Sequence, residues 1–206
     1  MSIQLYGFAV SGHAHRVQLM LSLLGLPYTQ VEVDLPNGAH KTPAFLALNA
    51  FGQVPVLQDG EIVLADSNAI LVYLVSRYAS PGAWLPTDPV GAAQVQRWLS
   101  VAAGPLAFGP AVARVIQLFK RSTDPGDAIT RATQLFEVME AHLQPSDFLV
   151  GQTPTIADIA NYSYIAHAPE GNISLEPYPG LRAWLARIEA LPGFVPMVHS
   201  RIGLRA

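Results

Sequence analysis

The sequence predicts an α/β domain over residues 1–79 followed by an all-α helical domain over residues 90–206. Three observations lead there. A strand–helix–strand pattern opens the chain, and a two-residue turn signal, Asp59-Gly60, later separates two apolar runs. A Pro/Gly-rich stretch, Ser80-Pro81-Gly82 and Pro86-Thr87-Asp88-Pro89, then breaks the periodicity. Beyond it no convincing strand pair appears, only apolar residues at helical spacing.

Taken in order, Ile3-Gln4-Leu5-Tyr6 reads as a short strand. Arg16 to Leu24 carries apolar residues at Val17, Leu19, Met20, Leu21, Leu23 and Leu24, a mostly buried helix that stops at Gly25. Thr29 to Val33 alternates as a second strand, and the β-α-β unit implies a parallel pair with a right-handed crossover. Thr42 before Pro43 is a cap with proline at the first helical position, predicting a short helix over Ala44 to Leu48. Val56-Leu57-Gln58, the Asp59-Gly60 turn and Ile62-Val63-Leu64 form a hairpin, and a helix from Ser67 to Tyr78 follows. The order β-α-β-α-β-β-α is that of a thioredoxin-like domain. In the second half, Val90 to Phe119 is helical in pattern, but Gly104-Pro105 and Gly109-Pro110 should break or kink it. Ala128 to Leu143 is amphipathic. Thr155-Ile156-Ala157-Asp158 is a capping box, with Asp in place of Glu, that starts a helix ending near Ala166. Leu181 to Leu191 is the last helix, stopped by Pro192-Gly193.

Composition narrows the function classes. Half of the 206 residues are apolar and 13% are charged, enough for a sizeable core. The formal net charge is -3 and the largest basic cluster is Lys120-Arg121, which argues against nucleic acid or an anionic membrane as the main partner. There is no cysteine, so disulfides and Cys-based metal or redox sites are excluded. Met1-Ser2-Ile3-Gln4 lacks a basic segment followed by a long apolar one. The longest apolar run, Ala69 to Val75, is far shorter than a bilayer span of roughly 18–20 residues. A cytoplasmic globular protein is expected.

The residues with chemistry cluster around two segments. Val54-Pro55 lies between a glycine turn signal and an apolar strand; a proline there leaves a neighbouring backbone edge free to hold an extended peptide. Asp66-Ser67 opens the helix that follows. A carboxylate and a hydroxyl at a helix N-terminus can take both charges of an amino-acid head group, although Asp-Ser before an apolar run is also a common plain cap. Together the segments read as a peptide clamp. His13 and His15 are two residues apart and do not share a helical face, and no third ligand lies near them, so no metal site is expected.

His40-Lys41-x-Pro43, Asn49-x-Phe51-Gly52-Gln53-Val54-Pro55 and Asp59-Gly60 resemble the glutathione-binding half of glutathione transferases, with phi-like and related bacterial forms nearest. Phe148-Leu149-Val150-Gly151 leading into Thr155-Ile156-Ala157-Asp158 is similar to the helical domain of the same superfamily. The resemblance implies glutathione as co-substrate and a homodimer, with Phe51 a candidate for insertion into the partner. It implies that Asp66 takes the γ-glutamyl ammonium and Ser67 the head carboxylate. Val54 would pair through its backbone with the cysteinyl unit, before a cis Pro55, and Gln53 would add a side-chain contact unless it is a solvated turn residue. His40 and Lys41 would hold the glycine carboxylate; the plainer fate of Lys41 is a solvated loop.

Ser11 matches the catalytic serine of serine-type members, a hydroxyl at a helix start that stabilises a thiolate by hydrogen bond and dipole. Its plainer reading is a turn or cap residue. Tyr6 is the rival, but the alignment puts Gly7 where a catalytic tyrosine would stand. His13 stands where some serine-type members carry Asn, a departure that leaves its contact with the thiol open. Phe8, Leu106, Phe108 and Arg114 are candidates for the electrophile pocket, with core packing, or a salt bridge for Arg114, as the alternative. The reaction implied is conjugation of the thiolate to small hydrophobic electrophiles. Glutathione-dependent peroxide or disulfide reduction, run by two glutathiones, and non-catalytic binding of apolar ligands are the competing functions.

Overall fold

The computed structural model describes residues 3–206; Met1 and Ser2, the start of the segment read above for a signal peptide, lie outside the described residues. Four strands, β1 (Ile3–Gly7), β2 (Tyr28–Glu32), β3 (Val56–Asp59) and β4 (Ile62–Ala65), form one sheet in the order β2-β1-β3-β4. β1 pairs with β2 in parallel, as the crossover through α1 (Gly12–Leu23) requires, and β3 runs antiparallel to both β1 and β4. Alternation along the strands sorts the core. Ile3, Leu5 and Leu57 face α1 and α3 (Ser67–Tyr78), while Val56 packs with Val33 and Phe45 of the short α2 (Pro43–Leu48). This is a thioredoxin-like domain with a mixed sheet.

A helical domain follows: α4 (Pro89–Ala103), α5 (Val112–Leu118), α6 (Gly126–Leu143), α7 (Ile156–Ala166) and α8 (Pro179–Glu189). α7 is its centre, with every residue from Ile156 to Ala166 buried. Its N-terminus carries the predicted capping box. Asp158 accepts from the Thr155 backbone at 2.8 Å, and also from Leu149 N–H and Trp184 Nε1, each at 2.9 Å. One buried carboxylate therefore ties the cap, the preceding loop and α8 together.

One expectation needs adjusting. α1 begins at Gly12, four residues before the apolar pattern, because Ser11 caps it. The Gly-Pro pairs interrupt the stretch between α4 and α5, as expected, without ending its helical course. The backbone turns at Gly104, and Ala107–Ala111 forms a π-turn around Pro110, whose ring cannot sit in a regular α-helical ladder. The helical stretch Pro89–Leu118 is consequently long and apolar enough to cross a bilayer by length and composition. Half of its most apolar window is nevertheless buried inside the protein, as in the core helix of a bundle.

Candidate active site

The turns that join β1 to α1, β2 to α2, α2 to β3 and β4 to α3 open onto one cleft of about 780 Å³. Ser11, His13, His40, Lys41, Gln53, Val54, Asp66 and Ser67 all line it, although 56 residues separate the first from the last in sequence. The volume is that of a site for a tripeptide-sized ligand.

Each wall has a local cause. The loop carrying Gln53 and Val54 is shaped by buried Asn49, whose Nδ2 donates to Gln53 O at 2.8 Å and whose Oδ1 accepts from Phe51 N–H at 3.1 Å. Gly52 within it has φ +57, and a Cβ there would lie 2.8 Å from both His40 O and Lys41 Nζ, so this turn requires glycine. The Val54–Pro55 peptide bond is cis. Lys41 Nζ donates to Phe51 O at 3.3 Å and Gly52 O at 3.1 Å, which holds its charge at the cleft edge.

At the opposite end Asp66 caps α3 with one oxygen, Oδ1, which accepts from Asn68 and Ala69 N–H at 2.9 Å each. Its φ of +70 is uncommon for a residue with a side chain. The carboxylate is exposed, whereas Ser67 beside it is buried. Behind Ser67 lies Arg16, 1% exposed, which donates to Ser67 Oγ at 3.2 Å and Asn68 Oδ1 at 2.9 Å and leaves Nε and Nη2 unpartnered. Burial brings the Arg16 pKa down to about 10, opposed by Tyr164 and Asp66; Arg16 therefore stays cationic at neutral pH and adds positive potential under the helix terminus.

Ser11 lines the cleft, and its Oγ accepts from Ala14 N–H at 3.3 Å. His13 is half-buried, its ring edge-on to Tyr164 at 5.0 Å, and burial together with Arg16 pushes its pKa down to about 3, so it is neutral. His15 points elsewhere, to Ser163 Oγ at 2.8 Å and Val195 O at 2.9 Å. Tyr6, the rival to Ser11, directs its hydroxyl along the sheet to Gln4 and Gln58, at 3.1 and 3.3 Å.

None of the four residues expected to wall the electrophile pocket lines this cleft. Leu106 is fully buried in the core, and Phe108 on the π-turn is 63% exposed. Phe8 borders a separate hollow of about 140 Å³ near His15, Gln30 and Glu32. Arg114, 1% exposed, is an internal strut: Nε donates to Glu170 at 2.7 Å and Nη1 to Val10 O at 2.7 Å. The salt bridge explains this arginine within an apolar helix.

Among the described residues, His167, Glu170 and His199 bring potential metal-ligating atoms within 4.8 Å of one another. Arg114 and Arg205 also reach Glu170, at 2.7 and 3.4 Å, and Arg205 contacts His199. Two guanidiniums oppose a cation there, and the cluster is an ion-pair hub. The sequence motifs gave no role to Arg16, Gly12 or Tyr164, and quoted Asn49 without its part in shaping the loop. Arg16 carried the same signal as Arg114, a charge within an apolar helix; Tyr164, inside a uniformly apolar run, carried none.

Comparison with known proteins agrees with this geometry. Residues 1–76 match the glutathione S-transferase N-terminal domain family and residues 102–192 the C-terminal domain family. Glutathione S-transferase 3 of Zea mays is 38% identical, over 96% of this chain and 94% of its own length. A glutathione S-transferase structure from Pseudomonas fluorescens superposes with a TM-score of 0.90 at 37% identity, covering 96% of this chain and 99% of its own. A Drosophila mojavensis glutathione transferase homologue with bound glutathione superposes with a TM-score of 0.81 at 31% identity, covering 93% of this chain and 89% of its own. With both domain families matched and nearly its whole length in common with these proteins, the chain belongs to the glutathione S-transferase family.

Proposed function

We propose that the protein conjugates glutathione to small hydrophobic electrophiles in the cytoplasm. The observation that carries this reading is the convergence of Ser11, His40, Lys41, Gln53, Val54, Asp66 and Ser67 on one cleft of suitable size. Glutathione presents a charged amino-acid head, a thiol and a glycine carboxylate. The cleft offers an anion and a helix N-terminus at one end, a hydroxyl in the middle, and an ammonium and an imidazole at the other. The Drosophila mojavensis relative binds the same tripeptide. In the proposed reaction the thiol releases its proton to solvent water, and Ser11 donates a hydrogen bond to the thiolate that remains. The sulfur then attacks the electrophilic carbon, forming a C–S bond and expelling the leaving group. The division into a glutathione-holding unit, 1–79, and a helical unit that walls the electrophile, 90–206, is part of this proposal. A panel decides it: turnover with an aryl halide should exceed turnover with a hydroperoxide or hydroxyethyl disulfide. The reverse order would assign the protein to glutathione-dependent reduction, and no turnover despite glutathione binding to a ligand-binding role.

The amino-acid end makes a separable prediction. Asp66→Asn keeps the cap acceptor and tolerates the positive φ, and it removes only the charge. It should weaken glutathione binding about 5- to 30-fold, roughly 1–2 kcal/mol, with little change in stability. Lys41→Ala, at an exposed position ending the 3-10 turn Ala39–Lys41, should weaken binding less than about 5-fold. Titration calorimetry compares the two, and equal losses would contradict the assignment of the ends.

A homodimer is also part of the proposal. Phe51 is 80% exposed at the tip of its loop rather than folded beneath it, as suits a side chain destined for a partner subunit. Light scattering at micromolar concentration should give twice the 22.1 kDa chain mass, and Phe51→Ser should shift it toward monomer. A monomeric parent protein would overturn this.

A further inference from the structure

Two arginines of the chain are almost fully buried, and the fold treats them differently. Arg114 meets Glu170 at 2.7 Å, whereas no carboxylate lies within 4.0 Å of Arg16 among the described residues. A buried charge without a partner is unfavourable, and Arg16 keeps its charge at neutral pH because burial lowers its pKa only to about 10. Its Nε and Nη2 make no hydrogen bond. Nη1 alone is used, donating to Ser67 Oγ at 3.2 Å and Asn68 Oδ1 at 2.9 Å. Asn68 Nδ2 passes the connection on to Leu99 O of α4, at 2.9 Å. The guanidinium therefore sits behind the first two residues of α3, and of these Ser67 lines the cleft.

We propose that Arg16 is a positioning residue that supplies, through Ser67, the counter-charge for the head carboxylate of glutathione, and so makes the cleft selective for ligands that carry this carboxylate. A guanidinium can only donate, so Ser67 Oγ is the acceptor in its bond with Arg16. The Ser67 proton is then the one the carboxylate receives. Donation from a cation polarises the hydroxyl and strengthens the bond it donates in turn. The N-terminus of α3 adds potential of the same sign. Binding thus brings an anion toward a cation that the empty protein leaves uncompensated. Away from water their attraction is stronger than that of an exposed lysine such as Lys41, and less screened by salt. Arg16 does not line the cleft; it orients and polarises a residue that does.

The inference rests on the reading of the cleft as a glutathione site, and the test separates the two claims. Titration calorimetry compares glutathione with 4-aminobutanoyl-cysteinyl-glycine, the same tripeptide without its head carboxylate. Both are measured on the parent, Arg16→Met, Arg16→Gln and Arg16→Lys. Thermal unfolding without ligand checks that each variant is folded; Met and Gln remove the charge with different shapes, and either one decides. The parent should prefer glutathione by about 30-fold or more. Arg16→Met and Arg16→Gln should bind glutathione about 10- to 30-fold more weakly, yet bind the carboxylate-free tripeptide within about 3-fold of the parent. Arg16→Lys keeps a cation and, at about pH 6.5, should bind glutathione within about 5-fold of the parent. Equal losses for both tripeptides in the neutral variants would make Arg16 only a structural link between α1, α3 and α4, and would overturn the inference alone. Unchanged glutathione binding in those variants, or Arg16→Lys binding no better than Arg16→Gln, would do the same. A parent protein that binds both tripeptides equally would instead remove the head carboxylate from the proposed site, and this inference with it.

Discussion

Ser11→Ala is expected to cut conjugation about 10- to 100-fold at neutral pH while leaving glutathione affinity within a few-fold. A free thiol ionises near pH 8.5, so only a few per cent is thiolate at pH 7. Lowering that value by about two units is worth roughly 2.7 kcal/mol, the size of contribution that a charge-assisted hydrogen bond at a helix N-terminus supplies. The affinity should survive because the anchors proposed at Asp66, Ser67, His40 and Lys41, which line the same cleft, remain in place. The defect should shrink above pH 8.5, where the thiol ionises unaided. Ser11 also caps α1, so the variant should lose about 1 kcal/mol of stability, which a urea titration measures independently of activity. Full activity in Ser11→Ala beside a loss in His13→Ala or Tyr6→Phe would move the thiol's donor to that residue.

How much of this was legible in the sequence depends on how local each cause is. The hairpin at Asp59-Gly60, the Thr42-Pro43 start and the Thr155–Asp158 box are decided within a few residues, and all three form as expected. The residues proposed to hold glutathione each sit at a turn whose chemistry is local. Their convergence then follows from the sheet order. The electrophile wall was not readable. Whether Leu106 or Phe108 faces a cleft depends on how α4 and α5 are rotated against α6 and α7, and the π-turn between them shifts that rotation. Arg114 was flagged as anomalous, but its explanation, Glu170, lies 56 residues away. Tyr164 reaches Gly12 across the domain boundary, and no periodicity in α7 distinguishes it from its buried neighbours.

Removing the charge of Glu170 should produce the largest loss of stability of any single change considered. The carboxylate is fully buried. It accepts from Arg114 Nε at 2.7 Å, His167 Nδ1 at 2.7 Å, Ser200 N–H at 3.0 Å and Arg205 Nη1 at 3.4 Å. It thereby joins α5, the turn after α7 and the C-terminal segment. Glu170→Gln keeps the volume and leaves the Arg114 guanidinium, 1% exposed, without a counter-ion. Stranding one member of a buried pair costs about 3–5 kcal/mol, whereas replacing both members by apolar residues is often neutral. Urea unfolding of Glu170→Gln should show a loss in that range, and Arg114→Met/Glu170→Leu a smaller one; additive losses in the pair would contradict the coupling. Acid should act on the same hub. Burial raises the Glu170 pKa, but the Ser200, His167 and Arg114 contacts outweigh it and hold the carboxyl below its usual range. Its contribution is therefore present above the unfolded carboxyl's pKa and is lost as the pH falls through the folded value. His167 is pushed down to about 4 by burial, against the pull of Glu170. Between roughly pH 6.5 and 4 the unfolded chain thus binds a proton at His167 that the native protein does not, and stability should fall by about 1.4 kcal/mol per pH unit for that group. A stability that stays flat between pH 7 and 5 would show that His167 is not held neutral in the folded protein.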